Sequence, residues 1–197
     1  MSTLPTESTL KTGTILRLED RSLAWKIGAV VLGSLLLTLA SKVQVPMYPV
    51  PMTMQTMAVG LVGALYGWRL GALTIVVWLA QGLAGLPVLA GMNVGPAYFM
   101  GPTGGYLAAF PFAAAFAGWM AERGWGGHNV VRSFFGQLGQ NALTLVIGGA
   151  YLATLIGPEK AIMAGVVPFV LGAALKSALA AAILKSVGMG LARSDAR

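Results

Sequence analysis

The sequence predicts an all-α integral membrane protein with six transmembrane helices, and three features carry that expectation. Hydrophobic residues fill 56% of the 197 positions and charged residues only 10%, where a soluble domain would carry roughly a quarter. The uncharged intervals match bilayer crossings of ~20 residues each. Ten of the thirteen Lys and Arg fall on one side of the resulting topology, as the cytoplasmic bias of basic residues demands. The expected organisation is one six-helix membrane domain, residues 27–185, between cytoplasmic tails at 1–26 and 186–197.

The spans follow from the positions of charge and proline. Ile27 to Ser41 is uncharged, and Ala24 and Trp25 extend it to a first span with Trp25 and Lys26 as interface anchors. Val43 to Trp68 is also uncharged, but Pro46, Pro49 and Pro51 exclude a helix through its start. The second span therefore runs from Thr53 to Gly67. Leu70 to Ala121 is long enough for two crossings, and Pro87, Pro96, Pro102 and seven Gly from Gly82 to Gly105 mark the connection between them. The third span is then Leu70 to Gly85 and the fourth Gly104 to Ala121, joined by an apolar, Gly/Pro-rich outer loop. After a polar turn from Glu122 to Arg132, Ser133 to Gly157 makes a fifth span and Met163 to Leu184 a sixth.

With the N-terminus inside, the cytoplasmic segments hold Lys11, Arg17, Arg21, Lys26, Arg69, Arg123, Arg132, Lys185, Arg193 and Arg197, against Lys42 and Lys160 outside. Both termini are expected in the cytoplasm. The net charge of +7 is thus a topological signal and does not point to nucleic acid. There is no Cys, which removes disulfides and thiolate metal sites. The first 26 residues are too polar for a cleaved signal peptide. No fixed-period repeat is visible, which disfavours an inverted-repeat transporter. Small residues at helical spacing, such as Ala29 with Gly33 and Gly67 with Gly71, allow close helix approach. Packing within the bundle is the plainer explanation, and docking of another membrane protein or a second copy is the alternative.

The thirteenth basic residue, Lys176, falls inside the sixth span, about ten residues or ~15 Å from either end. A Lys at such depth costs ~2.5–3.5 kcal/mol on the insertion scale unless a cavity or partner receives it. Snorkelling would recover part of this distance. No Asp or Glu lies in any expected span, so a ligand could supply the missing anion. In the fifth span Gln137, Gln140 and Asn141 share one helical face, which Thr144, Gly148 and Tyr151 continue. Inter-helix hydrogen bonding explains such a stripe as readily as a site does. Gln55 lies about one turn into the second span, behind a proline-ordered loop, and Asn93 is the one amide of the long outer loop. Together these residues describe an outward-facing apolar pocket with a cation and several amides, suited to a small acid with an apolar body and an amide-like head.

The run Val45-Pro-Met-Tyr-Pro-Val-Pro-Met-Thr-Met-Gln-Thr56, followed by Gly85-Leu-Pro-Val-Leu-Ala-Gly91 and Gly101-Pro-Thr-Gly-Gly-Tyr106, resembles the BioY family, the biotin-binding S components of energy-coupling-factor (ECF) transporters. The resemblance covers Ile27 to Leu184. It implies a multi-pass protein of the bacterial cytoplasmic membrane that takes up biotin with a membrane-embedded T component and a pair of cytosolic ATPases. Some members of the family occur without a dedicated T component. The family's sixth span usually reads Pro-Phe-x-x-Gly-Asp-x-x-Lys; here Pro168 to Lys176 keeps the Lys and has Ala173 in place of the Asp. The resemblance assigns Lys176 to the biotin site and sets Gln55 and Asn93 in motif regions that face the ligand; Asn141 and Tyr151 join them as candidates from the residue pattern. In the first span, Ala29-Val-Val-Leu-Gly33 resembles the Ala-x-x-x-Ala surface with which S components meet the T component. The sequence has no Gly-x-x-x-x-Gly-Lys-Ser/Thr loop, so ATP dependence would come from partners.

Three other readings compete. The ligand could be a different small carboxylate vitamin, or the chain could be a membrane subunit with no ligand of its own. An intramembrane enzyme has the least support. The only His, His128, falls in a cytoplasmic turn, and no acid–base couple is placed in the spans. No cofactor or metal is expected.

Overall fold

The computed structural model describes residues 16, 18, 21–127 and 129–195, with side chains up to residue 190. Most of the expected N-terminal tail, His128 and Arg197 therefore lie outside the described residues. The chain forms α1 (Leu23–Lys42), a two-stranded antiparallel hairpin of β1 (Gln44–Val45) and β2 (Met52–Thr53), α2 (Gln55–Tyr66) and α3 (Trp68–Leu83). There follow α4 (Pro96–Met100), α5 (Gly104–Met120), a π-type turn (Ala121–Trp125), α6 (Val130–Ile156), α7 (Pro158–Gly165) and α8 (Val167–Asp195).

Among the described residues, four helical stretches are long and apolar enough to cross a membrane: Leu23–Lys42, Gly104–Trp125, Val130–Ile156 and Pro158–Gly190. The segments read as second and third spans fall on α2 and α3, apolar helices of 12 and 16 residues. They rise only ~18 and ~24 Å. Most boundaries lie within three residues of the sequence reading, although Thr53 falls on β2 and α2 starts at Gln55, and two differ by four residues or more. The sixth helix does not begin at Met163: Gly157, at φ +87°, ends α6, Pro158 starts the eight-residue α7, and the backbone leaves helical geometry at Val166 before α8. Pro168 lacks the N–H and clashes with the carbonyl four residues back, so α7 cannot run on into α8. At the other end, α8 continues past Leu184 and Lys185 to Asp195. A charge ends an apolar run, but Lys, Ala and Met are good helix formers and do not end the helix.

Helix α5 sits at the centre, packed on α2, α3 and α6, while α8 packs on α6 and α2. Small residues make this closeness possible. A Cβ on Gly63 would strike the backbone of Ala114 in α5. Gly67, at φ +84°, reverses the chain between α2 and α3 in a conformation that only glycine adopts freely. The first backbone N–H of α3, Trp68 N, donates to Glu122 Oε1 at 3.0 Å, a carboxylate at a helix N-terminus where the macrodipole favours it.

Helix α1 lies at the edge, on α2 and α3. Its inward stripe is Ala29, Gly33, Ser34, Leu37 and Ser41, while Leu32, Leu35 and Leu39 turn outward. Polar contacts at one end tie α1 to the loop after α3. Ser41 Oγ donates to the Val88 carbonyl at 2.8 Å, and Lys42 Nζ donates to the carbonyls of Leu89 and Gly91 at 2.8 and 2.7 Å. Leu89 is fully buried and fills the space opened by Gly82. The Gly/Pro-rich loop is therefore packed on the helices and carries the short helix α4.

Candidate functional site

A cavity opens between the hairpin, α2, α4, α5, α6 and α8, and its wall is mostly apolar with a few polar groups, as in small-molecule sites. Its apolar wall comes chiefly from Val50, Tyr106, Leu107, Phe110, Leu145 and Phe169. Glycines set this wall in place. Gly148 of α6 leaves room for the Tyr106 ring, whose hydroxyl donates to the Gly165 carbonyl at 2.7 Å. Phe169 packs against the same ring at a centroid distance of 6.4 Å.

The polar side of the cavity is built around Thr53. Lys176 is 9% exposed, and its Nζ donates to the Thr53 backbone carbonyl at 3.0 Å. An ammonium has three N–H donors, and the described lining contains no carboxylate to pair with it. Ala173 lines the cavity on the same helix. Next to Thr53, Gln55 is 5% exposed, and its Oε1 accepts from Thr53 Oγ1 at 2.9 Å. Its Nε2 is buried without a partner, as is Thr56 Oγ1. Buried polar atoms are nearly always hydrogen-bonded. Two such atoms, on residues that line the same cavity as an ammonium, therefore mark a place where polar ligand atoms would be well received.

Asn141 reaches the cavity from α6. Its Nδ2 donates to the Gln137 carbonyl and to Ser177 Oγ, at 3.0 and 3.1 Å, which leaves Oδ1 as its remaining hydrogen-bonding atom. The other two amides of that stripe do not reach the cavity lining. Gln137 Nε2 donates to the Gly60 carbonyl at 3.1 Å and Gln140 Nε2 to the Thr56 carbonyl at 3.0 Å. Both sit where a Cβ on Gly60 would lie, so these amides join α6 to α2.

The structure thus brings Lys176, Gln55 and Asn141 to one cavity. Asn93 lines an adjoining outer hollow that shares Pro51, Tyr98 and Thr103 with it, and its Nδ2 donates to the Ala90 carbonyl at 2.9 Å. Tyr151 lies outside both linings. Its hydroxyl donates to the Met100 carbonyl at 3.1 Å, and its ring packs on Gly104 and Gly105, supporting the start of α5. Ala29 and Gly33 belong to the inward stripe of α1. A Cβ on Gly33 would lie 2.7 Å from Thr74 Cγ2 and 3.0 Å from Tyr66 Cε2, so that face is filled from within the chain.

Sequence reasoning passed over Thr53, the hub of the polar side. Its position two residues before Gln55, where a proline-ordered loop meets a helix start, was the available signal. Phe169 stood in the quoted Pro-Phe motif without a role. Among the described residues, no group of three or more His, Cys, Asp or Glu side chains could hold a metal ion.

A helical membrane protein with an apolar cavity and a buried lysine in its wall matches a known architecture. The chain superimposes on the crystal structure at 2.1 Å of the S-component for biotin from an ECF-type ABC transporter, with a TM-score of 0.74 at 23% identity, covering 85% of this chain and 94% of that one. This likeness defines the fold as that of an S component. Residues 11–193 match the BioY family, and the chain belongs to that family. It is 36% identical over 160 residues to the probable biotin transporter BioY of Pyrococcus horikoshii, covering 81% of this chain and 94% of that protein. It is 34% identical to the biotin transporter BioY of Rhizobium etli, covering 76% and 83%, and 33% identical to that of Thermotoga maritima, covering 75% and 86%.

Proposed function

We propose that this protein captures biotin from the outer side of the bacterial cytoplasmic membrane and takes it up as the substrate-binding subunit of an ATP-driven ECF transporter. Membership of the BioY family supports the substrate. The observation that carries the site is Lys176, a buried cation in a cavity whose described lining offers it no carboxylate. Biotin is a carboxylic acid with an apolar body and a polar ureido head. Its carboxylate supplies the anion to Lys176, the side chains of Gln55 and Asn141 serve its polar groups, and Tyr106, Phe110 and Phe169 enclose its apolar body. Asn93, in the outer hollow, meets the ligand on its way in, and Tyr151 acts by holding the outer end of α5. This chemistry is capture and release, with no bond made or broken.

In this reading α2 and α3 complete a set of six membrane helices with α1, α5, α6 and α8, and the basic residues hold both tails in the cytoplasm. The domain spans residues 27–185, between cytoplasmic tails at 1–26 and 186–197. The short α2 and α3 are accommodated by local thinning of the bilayer or by neighbouring helices that cover their ends. A membrane-embedded T component and two cytosolic ATPases supply the energy. Because Ala29 and Gly33 pack against α2 and α3, they act on that partner by setting the tilt of α1, whose apolar outer face makes the contact or meets lipid.

A competition assay tests the substrate. Radiolabelled biotin bound to the purified protein should be displaced by unlabelled biotin and left in place by thiamine and riboflavin. Displacement by either of those vitamins at equal concentration would transfer the reading to another ligand.

A further inference from the structure

The Thr53 hydroxyl stands between two atoms of Gln55. Its Oγ1 accepts the Gln55 backbone N–H at 3.3 Å and lies 2.9 Å from Gln55 Oε1, to which it donates. Both residues are buried, both line the cavity, and Gln55 Nε2 has no protein partner. A hydroxyl carries a single proton. With the amide turned over, that proton would lose its acceptor in a buried place, at the cost of an unmade hydrogen bond. The Thr53 hydroxyl therefore holds the Gln55 amide in one orientation, with Oε1 turned to Thr53 and the NH2 group left without a protein partner. Lys176 Nζ, bound to the carbonyl of the same Thr53, brings further donors to the same cavity.

We propose that Thr53 is a positioning residue that sets ligand selectivity: through its hydroxyl it fixes Gln55 as a hydrogen-bond donor, so the ligand group seated there must be an acceptor. A ligand that offers an N–H to the Gln55 NH2 group meets a donor where it needs an acceptor. Biotin offers acceptor oxygen at both of its polar ends. The choice of biotin analogues below rests on the substrate reading given above; the orientation of the amide does not.

The test compares wild type with Thr53→Val, which keeps the shape and the backbone carbonyl but loses the hydroxyl, and with Thr53→Ser, which restores it. Affinities are measured for biotin, for 2-iminobiotin, whose ureido oxygen is replaced by a nitrogen donor, and for biotinamide, whose carboxylate is replaced by an amide. Wild type should prefer biotin over at least one analogue. Thr53→Val should shrink that preference by about tenfold, the scale of one unmade buried hydrogen bond, and Thr53→Ser should keep it. An equal loss for all three ligands in Thr53→Val, or a Ser variant that behaves like Val, would overturn the proposal. A wild type that binds none of the three would instead remove the substrate reading. The orientation is then decided without ligand, from the nitrogen-15 side-chain amide resonance of Gln55, assigned by its loss in Gln55→Glu. That resonance should move in Thr53→Val and stay in Thr53→Ser, and an unmoved resonance in Thr53→Val would overturn the proposal.

Discussion

Lys176 Nζ donates to the backbone carbonyl of Thr53 at 3.0 Å across 123 residues of sequence. The bond ties α8 to the hairpin before α2 and holds the one cation of the cavity in place. If the remaining N–H donors serve a ligand carboxylate, Lys176→Ala removes a charge-assisted hydrogen bond worth ~1.5–3 kcal/mol. Biotin affinity should fall by more than about tenfold, measured by equilibrium binding. Unchanged affinity would return Lys176 to a snorkelling role.

Gln140 tests the division of the α6 stripe. Its amide donates to the Thr56 carbonyl of α2 and does not reach the cavity lining, so Gln140→Ala should lower stability by ~1 kcal/mol and leave biotin affinity intact. The measurements are thermal unfolding in detergent and ligand binding on the same sample. A large loss of affinity without loss of stability would move Gln140 into the site.

Gly63 tests the packing of α2 on α5. A methyl group there meets the backbone of Ala114, which cannot retreat as a side chain can. Gly63→Ala should cost ~1–3 kcal/mol through overpacking, seen as a lower unfolding midpoint or reduced yield of folded protein. An unchanged midpoint would contradict the close approach.

The absence of cysteine makes topology directly measurable. Single-cysteine variants at Lys160, Arg69 and Lys185 can be exposed to a membrane-impermeant maleimide. Lys160→Cys should react in intact cells, and Arg69→Cys and Lys185→Cys only after permeabilisation. The reverse pattern would invert the orientation drawn from the basic residues.

These residues also show how much was legible in the sequence. Lys176 stood out because an unpaired charge in an apolar run is costly, and an argument from cost needs no knowledge of the fold. Helix positions were readable from charge and proline, but α7 was hidden because Pro158, Glu159 and Lys160 read as an outer turn while its last residues are apolar and run on into the sixth apolar stretch. The amide stripe of α6 was visible as a stripe, yet its division was not. Whether Gln137 and Gln140 or Asn141 face the cavity depends on Gly60 admitting two amides onto α2, a relationship 77 and 84 residues apart in sequence. The small pair Ala29 and Gly33 could likewise serve the chain or a partner on periodicity alone; in the fold both are buried, and Thr74 and Tyr66 stand against Gly33.

In the proposed function the cavity around Lys176 and Gln55 takes biotin. Equilibrium binding of radiolabelled biotin to the purified wild-type protein tests it most directly. Saturable binding to a single site at submicromolar concentration is the predicted result; a folded protein, shown by a cooperative thermal transition, that binds no biotin in that range would contradict it.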